Sequence, residues 1–214
     1  MWNRFGSVSR VLELHDHFFK PFELYRPGSY DGFLRGLANQ PCQQYDQFFT
    51  ESVVGRLFQA GRMPFGMDLV ALNLQRGRDH GIPSYNEYRA ECGLRKAKDF
   101  DDLADFISFE AIANLKTLYE SVDDIDLFIG GIVERPLFEG GGTVGPTFTC
   151  ILGDQFARLK RGDRFYYEEG NQAGSFTPEQ LSSIRSVSLA RIICDNGDDI
   201  QALQPLVFFQ PSNM

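Results

Sequence analysis

Apolar residues recur at helical spacing through most of the chain. Between residues 8 and 19, Val8, Val11, Leu12, His15, Phe18 and Phe19 share one face of a predicted opening helix, which Pro21 and then Pro27-Gly28 break. Residues 46–59 predict a second helix, with Asp46 placed as an N-cap and Phe49, Val53, Val54, Leu57 and Phe58 as its apolar face. A third runs from Met67 to Arg78 and is stopped by Gly81 and Pro83. Ser84-Tyr85-Asn86-Glu87 has the form of a capping box opening a helix towards Cys92.

Further along, 100–107 and 109–120 predict two short helices, the second with Ile112, Leu115, Leu118 and Tyr119 on one side. Gly140-Gly141-Gly142 predicts a flexible turn before a helix over 146–160 that carries Phe148, Ile151, Leu152, Phe156 and Leu159. Thr177-Pro178-Glu179-Gln180 is the clearest helix start in the chain: an N-cap Thr, Pro at the first position and Gln at N3. Only Arg164 to Tyr167 and Leu206 to Phe209 have the character of strands. The expected class is all-α, in one domain spanning residues 1–214, with no internal repeat or low-complexity tract.

Composition narrows the function more than the fold. A formal charge of −8 argues against nucleic acid as a partner, because phosphate binding needs clustered Lys and Arg. No apolar run approaches the ~18 residues of a membrane-spanning helix, and no signal-peptide stretch follows Met1. Cys42, Cys92, Cys150 and Cys194 contain no CxxC pair, which disfavours zinc, and three full pairings are open to them.

The chemistry is concentrated at the end of the third helix, Ala71 to Asn86, where an apolar stretch turns abruptly rich in amides and guanidinium groups. Arg76 and Arg78 offer planar forks for carboxylates, and Asn73 is placed to orient an imidazole by accepting its N–H. The plainer reading is a buried polar network in which Arg78 pairs with Asp79 or another acid and merely closes the helix end.

The run from Leu72 to Arg89, LNLQRGRDHGIPSYNEYR, resembles the signature helix of the animal haem peroxidases. Asp126-Leu127-Phe128-Ile129-Gly130-Gly131, Gly145 to Phe156, Gly162 to Glu168 and Arg191 to Asn196 follow in that family's order. The resemblance implies the C-terminal part of a secreted, mainly helical enzyme that uses hydrogen peroxide to oxidise a small reducing donor at haem b, with calcium in the family. It implies that Asn73 hydrogen-bonds the proximal histidine, that Arg4 and Arg76 approach haem propionates, and that Cys92 pairs with Cys150. Cys194 pairs in the family with a cysteine downstream, which this chain lacks, and Cys42 matches no family cysteine, so both are expected as free thiols.

The chain departs from the pattern in one place. The family's proximal ligand follows Arg-aromatic-Gly, and here Arg4-Phe5-Gly6 is followed by Ser7. An iron without that ligand loses anchorage and the electron push that assists O–O cleavage. The distal half, with its catalytic His and Arg and its calcium loop, precedes this region in the family, so the expectation is a truncated chain with little turnover by itself and no catalytic residue or metal site of its own. Of the three histidines, His15 is expected to pack in an apolar face, His17 points elsewhere, and His80 is expected to make a local bond at a helix end. Arg161-Gly162-Asp163 supports a different reading, a secreted adhesion module, against the plainer one of a helix-ending turn.

Overall fold

The computed structural model describes residues 1–137 and 142–210; Gly140 and Gly141 of the expected glycine turn lie outside them. In chain order the helices are α1 Leu14–His17, α2 Ser29–Asn39, α3 Leu69–Asp79, α4 Tyr85–Glu91, α5 Phe109–Leu118, α6 Leu127–Val133, α7 Pro146–Gly162, α8 Pro178–Arg185 and α9 Leu189–Asn196. Two strands, β1 Val54–Leu57 and β2 Met67–Asp68, form an antiparallel pair. Short 3-10 turns occupy Pro21–Tyr25, Phe100–Asp105 and Val122–Asp124. The class is therefore mainly helical, as expected.

The chain divides into two compact units, one made of residues 44–163 and the other of 1–43 with 164–214. In the first, Tyr85, Leu103, Ile107, Ile112, Leu115, Val122 and Ile125 are almost wholly buried. Each large apolar side chain removed from water stabilises the unit by about 1.5–3 kcal/mol. Gly130 of α6 is required here, because a Cβ on it would stand 2.1 Å from Cγ of Tyr85.

Beside this core runs a buried polar set. Tyr85 donates to Glu134 Oε1 at 2.7 Å, and Thr147 donates to the same carboxylate through its backbone N–H (2.9 Å) and its hydroxyl (2.6 Å). Arg89, fully buried, donates to the Arg95 carbonyl at 2.8 Å and pairs with Asp105. Burial and the neighbouring Glu134 carboxylate push the Tyr85 phenol well above its ordinary range. Cys92, at the end of α4, is bonded to Cys150 in α7.

In the second unit, α2 is the centre. Its Asp31, 3% exposed, accepts the backbone N–H groups of Asp198 (3.3 Å) and Asp199 (2.7 Å). Gly32 lies tight against Met1, whose Cε a Cβ would meet at 3.1 Å. Helix α8 begins as its sequence predicts, with the capping box between Thr177 and Gln180 formed in both directions.

Several expected elements differ. Over 46–59 there is no helix: Gly55 (φ +89°) and Phe58 (φ +53°) take left-handed backbone, and Val54–Leu57 pairs with β2 instead. Over 8–19 only Leu14–His17 is helical. Ser84 makes no side-chain cap, so the expected capping box does not form; at the first position the Tyr85 N–H donates to the Ile125 carbonyl at 2.8 Å. Arg164–Tyr167 and Leu206–Phe209 form turns, not strands.

Candidate functional site

Helix α3 builds the site. Its start is fixed by Asp68, whose carboxylate accepts the Ala71 N–H at 3.0 Å. Its end is fixed by His80 at the C-cap and by Gly81, whose φ of +63° turns the chain away. Within that helix Asn73, Arg76 and Gly77 lie three and four residues apart, so they share one face. With α6 and the start of α7 they line a cavity of about 410 Å³.

The cavity has a polar edge and apolar walls. Asn73, Arg76, His80 and Asp126 make the edge, while Leu74, Leu127, Phe128 and Phe148 make the walls. Two of those walls are held from behind. Phe128 packs against Phe49 at a centroid distance of 6.3 Å. Phe148 lies so close to Gly131 that a Cβ there would fall 2.3 Å from its ring.

The two arginines of the signature helix have different partners. Arg78 grips Asp126 through two bonds, Nε to Oδ1 at 2.9 Å and Nη2 to Oδ2 at 2.7 Å, and Tyr119 donates to the same carboxylate at 2.8 Å. The Arg78 bond holds the Asp126 carboxyl below the usual carboxylate range. Burial, with the Asp126 carboxylate second, pushes the Tyr119 phenol up to about 12. Arg78 pairs with an acid, as the plainer reading has it, but the acid is Asp126 on another helix and the guanidinium is exposed, not buried. Arg76 instead contacts His80, Nη2 to Nε2 at 3.3 Å, while His80 Nδ1 lies 2.9 Å from the Arg76 carbonyl.

Of the site residues read from sequence, Asn73 and Arg76 come together at this cavity. Arg4 belongs to the other unit, where its guanidinium lies 4.9 Å over the Phe5 ring and lines a separate cavity of about 590 Å³ with Trp2, Asn3, Arg35 and Asn39. Cys92 and Cys150 are joined, and Cys42 and Cys194 are free thiols. Asp126 and Phe148 were visible only as parts of matching motifs. Tyr119 and a third cavity of about 480 Å³, walled by Phe48, Phe49, Val70, Leu115 and Leu118, carried no site signal, because they depend on residues far apart in the chain.

Arg161 and Gly162 form the last turn of α7 and Asp163 follows it, all three exposed. Among the described residues no group of three or more His, Cys, Asp or Glu is gathered to hold a metal ion. Among the same residues, no helix is long and apolar enough to cross a membrane.

Comparison with known proteins agrees with this geometry. The sequence model of the animal haem peroxidase family matches residues 1–208. A peroxidase of Drosophila melanogaster is 43% identical over 202 residues, covering 94% of this chain and 29% of that protein. The chorion peroxidase of the same fly is 43% identical over 208 residues, covering 95% of this chain and 25% of that one. Peroxidase A from Dictyostelium discoideum superimposes with a TM-score of 0.80 at 34% identity, over 96% of this chain and 38% of that one. The chain thus spans less than a third of the length of the two fly relatives.

Proposed function

Because this chain belongs to the animal haem peroxidase family, we propose that it holds one side of a haem b and serves hydrogen-peroxide-dependent oxidation of a small reducing donor. The observation that carries the reading is the convergence of Asn73 and Arg76 on one apolar-walled cavity. The donor set fits the rim of such a group. Leu74, Leu127, Phe128 and Phe148 offer surface for a flat apolar ring, and Arg76 offers donors to a carboxylate edge. When bound, the haem supplies the redox chemistry with peroxide.

This chain's own residues bind and orient. Arg76 neutralises a propionate. Asn73 would accept an imidazole N–H, the role the resemblance gives it, and so orient that imidazole as a ligand. That ligand is not provided by the segment Arg4 to Ser7, where serine follows glycine. The groups that handle peroxide, and the calcium site of the family, belong in this reading to sequence other than residues 1–214. The chain alone therefore turns over slowly or not at all, and it works outside the cell.

The test is a haem titration of the purified chain followed by its Soret spectrum and by peroxide-dependent guaiacol oxidation. Saturable binding without a histidine-ligated spectrum, and with guaiacol oxidation no faster than free haem, is expected. A histidine-ligated spectrum with rapid turnover would overturn the claim of an incomplete site. Absence of any saturable binding would overturn the haem reading itself.

A second reading rests on the exposure of Arg161, Gly162 and Asp163 at the end of α7. In it the chain is an adhesion module read by cell-surface receptors. Attachment of cells to immobilised chain that is lost in Asp163→Glu supports it; attachment equal in both chains sinks it.

A further inference from the structure

We propose that His80 is a positioning residue for Arg76, its neutral imidazole holding the guanidinium at the edge of the cavity for a carboxylate ligand. The inference deepens the haem reading and rests on it for the identity of that ligand. The spacing allows it, since residues four apart on a helix face lie one above the other.

The two contacts fix each other. An arginine has five N–H donors and no acceptor, so the 3.3 Å approach of Nη2 to Nε2 requires a lone pair on Nε2. The ring proton then sits on Nδ1, which donates it to the Arg76 carbonyl at 2.9 Å. That carbonyl also accepts the His80 backbone N–H at 3.0 Å, so the ring is anchored to the last turn of the helix it serves. Arg76 thus meets both ring nitrogens, and the Asp79 carboxylate lies 3.7 Å from Nδ1, further off than the carbonyl.

The partners of the neighbouring arginine show why Arg76 is the one available to a ligand. Arg78 is occupied by Asp126, whereas Arg76 has no carboxylate partner among the described residues. A cation held by a neutral acceptor keeps its charge uncompensated and its other N–H groups free to meet an anion. A mobile arginine loses rotamer freedom when it binds, and a partner that fixes it beforehand lowers that cost.

Two measurements test this. In wild type, ¹⁵N-resolved histidine spectra are expected to show His80 as the Nδ1–H tautomer, and Arg76→Met, which keeps the backbone carbonyl but loses the guanidinium, should shift the balance towards Nε2–H without erasing the preference. Haem titrations of wild type, His80→Phe and His80→Gln should then show binding weakened about 3- to 10-fold in the phenylalanine variant, the size of one hydrogen bond, and largely restored by glutamine, whose Oε1 can accept from the guanidinium. Haem dimethyl ester, which lacks the carboxylates, should bind all three chains alike.

An Nε2–H tautomer, or haem affinity unchanged in His80→Phe, would overturn the proposal. So would an equal loss of affinity for the dimethyl ester, which would mark His80 as merely structural. If no chain binds haem, the function reading fails separately, and the response of the tautomer to Arg76→Met then decides: a shift towards Nε2–H upholds the contact and no shift refutes it.

Discussion

Arg78 and Asp126 stand 48 residues apart in the sequence and meet through two parallel hydrogen bonds that tie the last turn of α3 to the start of α6. Tyr119 adds a third bond to the same carboxylate. This joint holds two sides of the candidate cavity together, so its loss should be felt in stability and in binding at once.

The joint makes stability depend on pH at both ends. The carboxyl of Asp126 is depressed in the fold, so its contribution is present above the unfolded value near ~4 and disappears as pH falls through the lower folded value. The phenol of Tyr119 is raised to about 12, so its contribution is present below the unfolded value near ~10 and is lost as pH climbs towards the folded one. Asp126→Asn should flatten the acid limb of a curve of melting temperature against pH and lessen the alkaline one, since burial of Tyr119 remains. Tyr119→Phe should flatten only the alkaline limb, at a cost of about 1–3 kcal/mol near neutrality. Unchanged curves in both variants would show that the joint stores no stability.

Gly131 should prove as important to the cavity as any residue lining it. An added methyl would fall 2.3 Å from the Phe148 ring, so Gly131→Ala must push that ring into the cavity or shift α6. The expected result is a folded chain that loses about 1–3 kcal/mol through overpacking and most of its affinity for haem. Double substitution with Phe148→Leu should recover part of both. Haem affinity equal to wild type in Gly131→Ala would separate this cavity from haem.

The bond between Cys92 and Cys150 closes a loop with a sequence separation of 58. Chain entropy alone puts its worth at about 4 kcal/mol. Reduction, or Cys92→Ser with Cys150→Ser, should lower the unfolding free energy of the 44–163 unit by an amount of that order, and the urea midpoint with it. Urea titrations in the presence and absence of dithiothreitol measure it. Coincident titrations would mean that packing at the start of α7 carries the load instead.

Helix α7 presents Leu152, Phe156 and Leu159 to solvent, with Phe156 66% exposed. Spaced by four and three residues, they form one apolar stripe. Phe156→Glu is expected to reduce concentration-dependent self-association, followed by sedimentation velocity, without lowering the melting temperature. Identical sedimentation of both chains would show that the stripe drives no association.

Local signals were legible in the sequence, and distant ones were not. The capping box at Thr177, the extent of α7 and the end of α3 at Gly81 each follow from residues within a few positions of one another, and each is found. The helix expected over 46–59 had the right apolar spacing, but Gly55 and Phe58 take left-handed backbone and Val54–Leu57 pairs with a strand ten residues on. Helix α2 drew no expectation at all, and its Gly32 lies against Met1, which a Cβ would meet at 3.1 Å. At the site, Asn73 and Arg76 stood out because they share one helix turn. Asp126 and Tyr119 complete the joint from other elements, and no spacing rule reaches them.

The position of Asp31 sets an order of events during synthesis. Its carboxylate is buried early in the chain but takes its hydrogen bonds from the amides of residues 198 and 199. At roughly 5–20 residues per second, a ribosome makes those donors roughly 10–30 s after the acceptor. Residues 44–163 are continuous and can close their core in that interval. Until then the Asp31 carboxylate has Arg35, four residues on in its own helix, and water for partners.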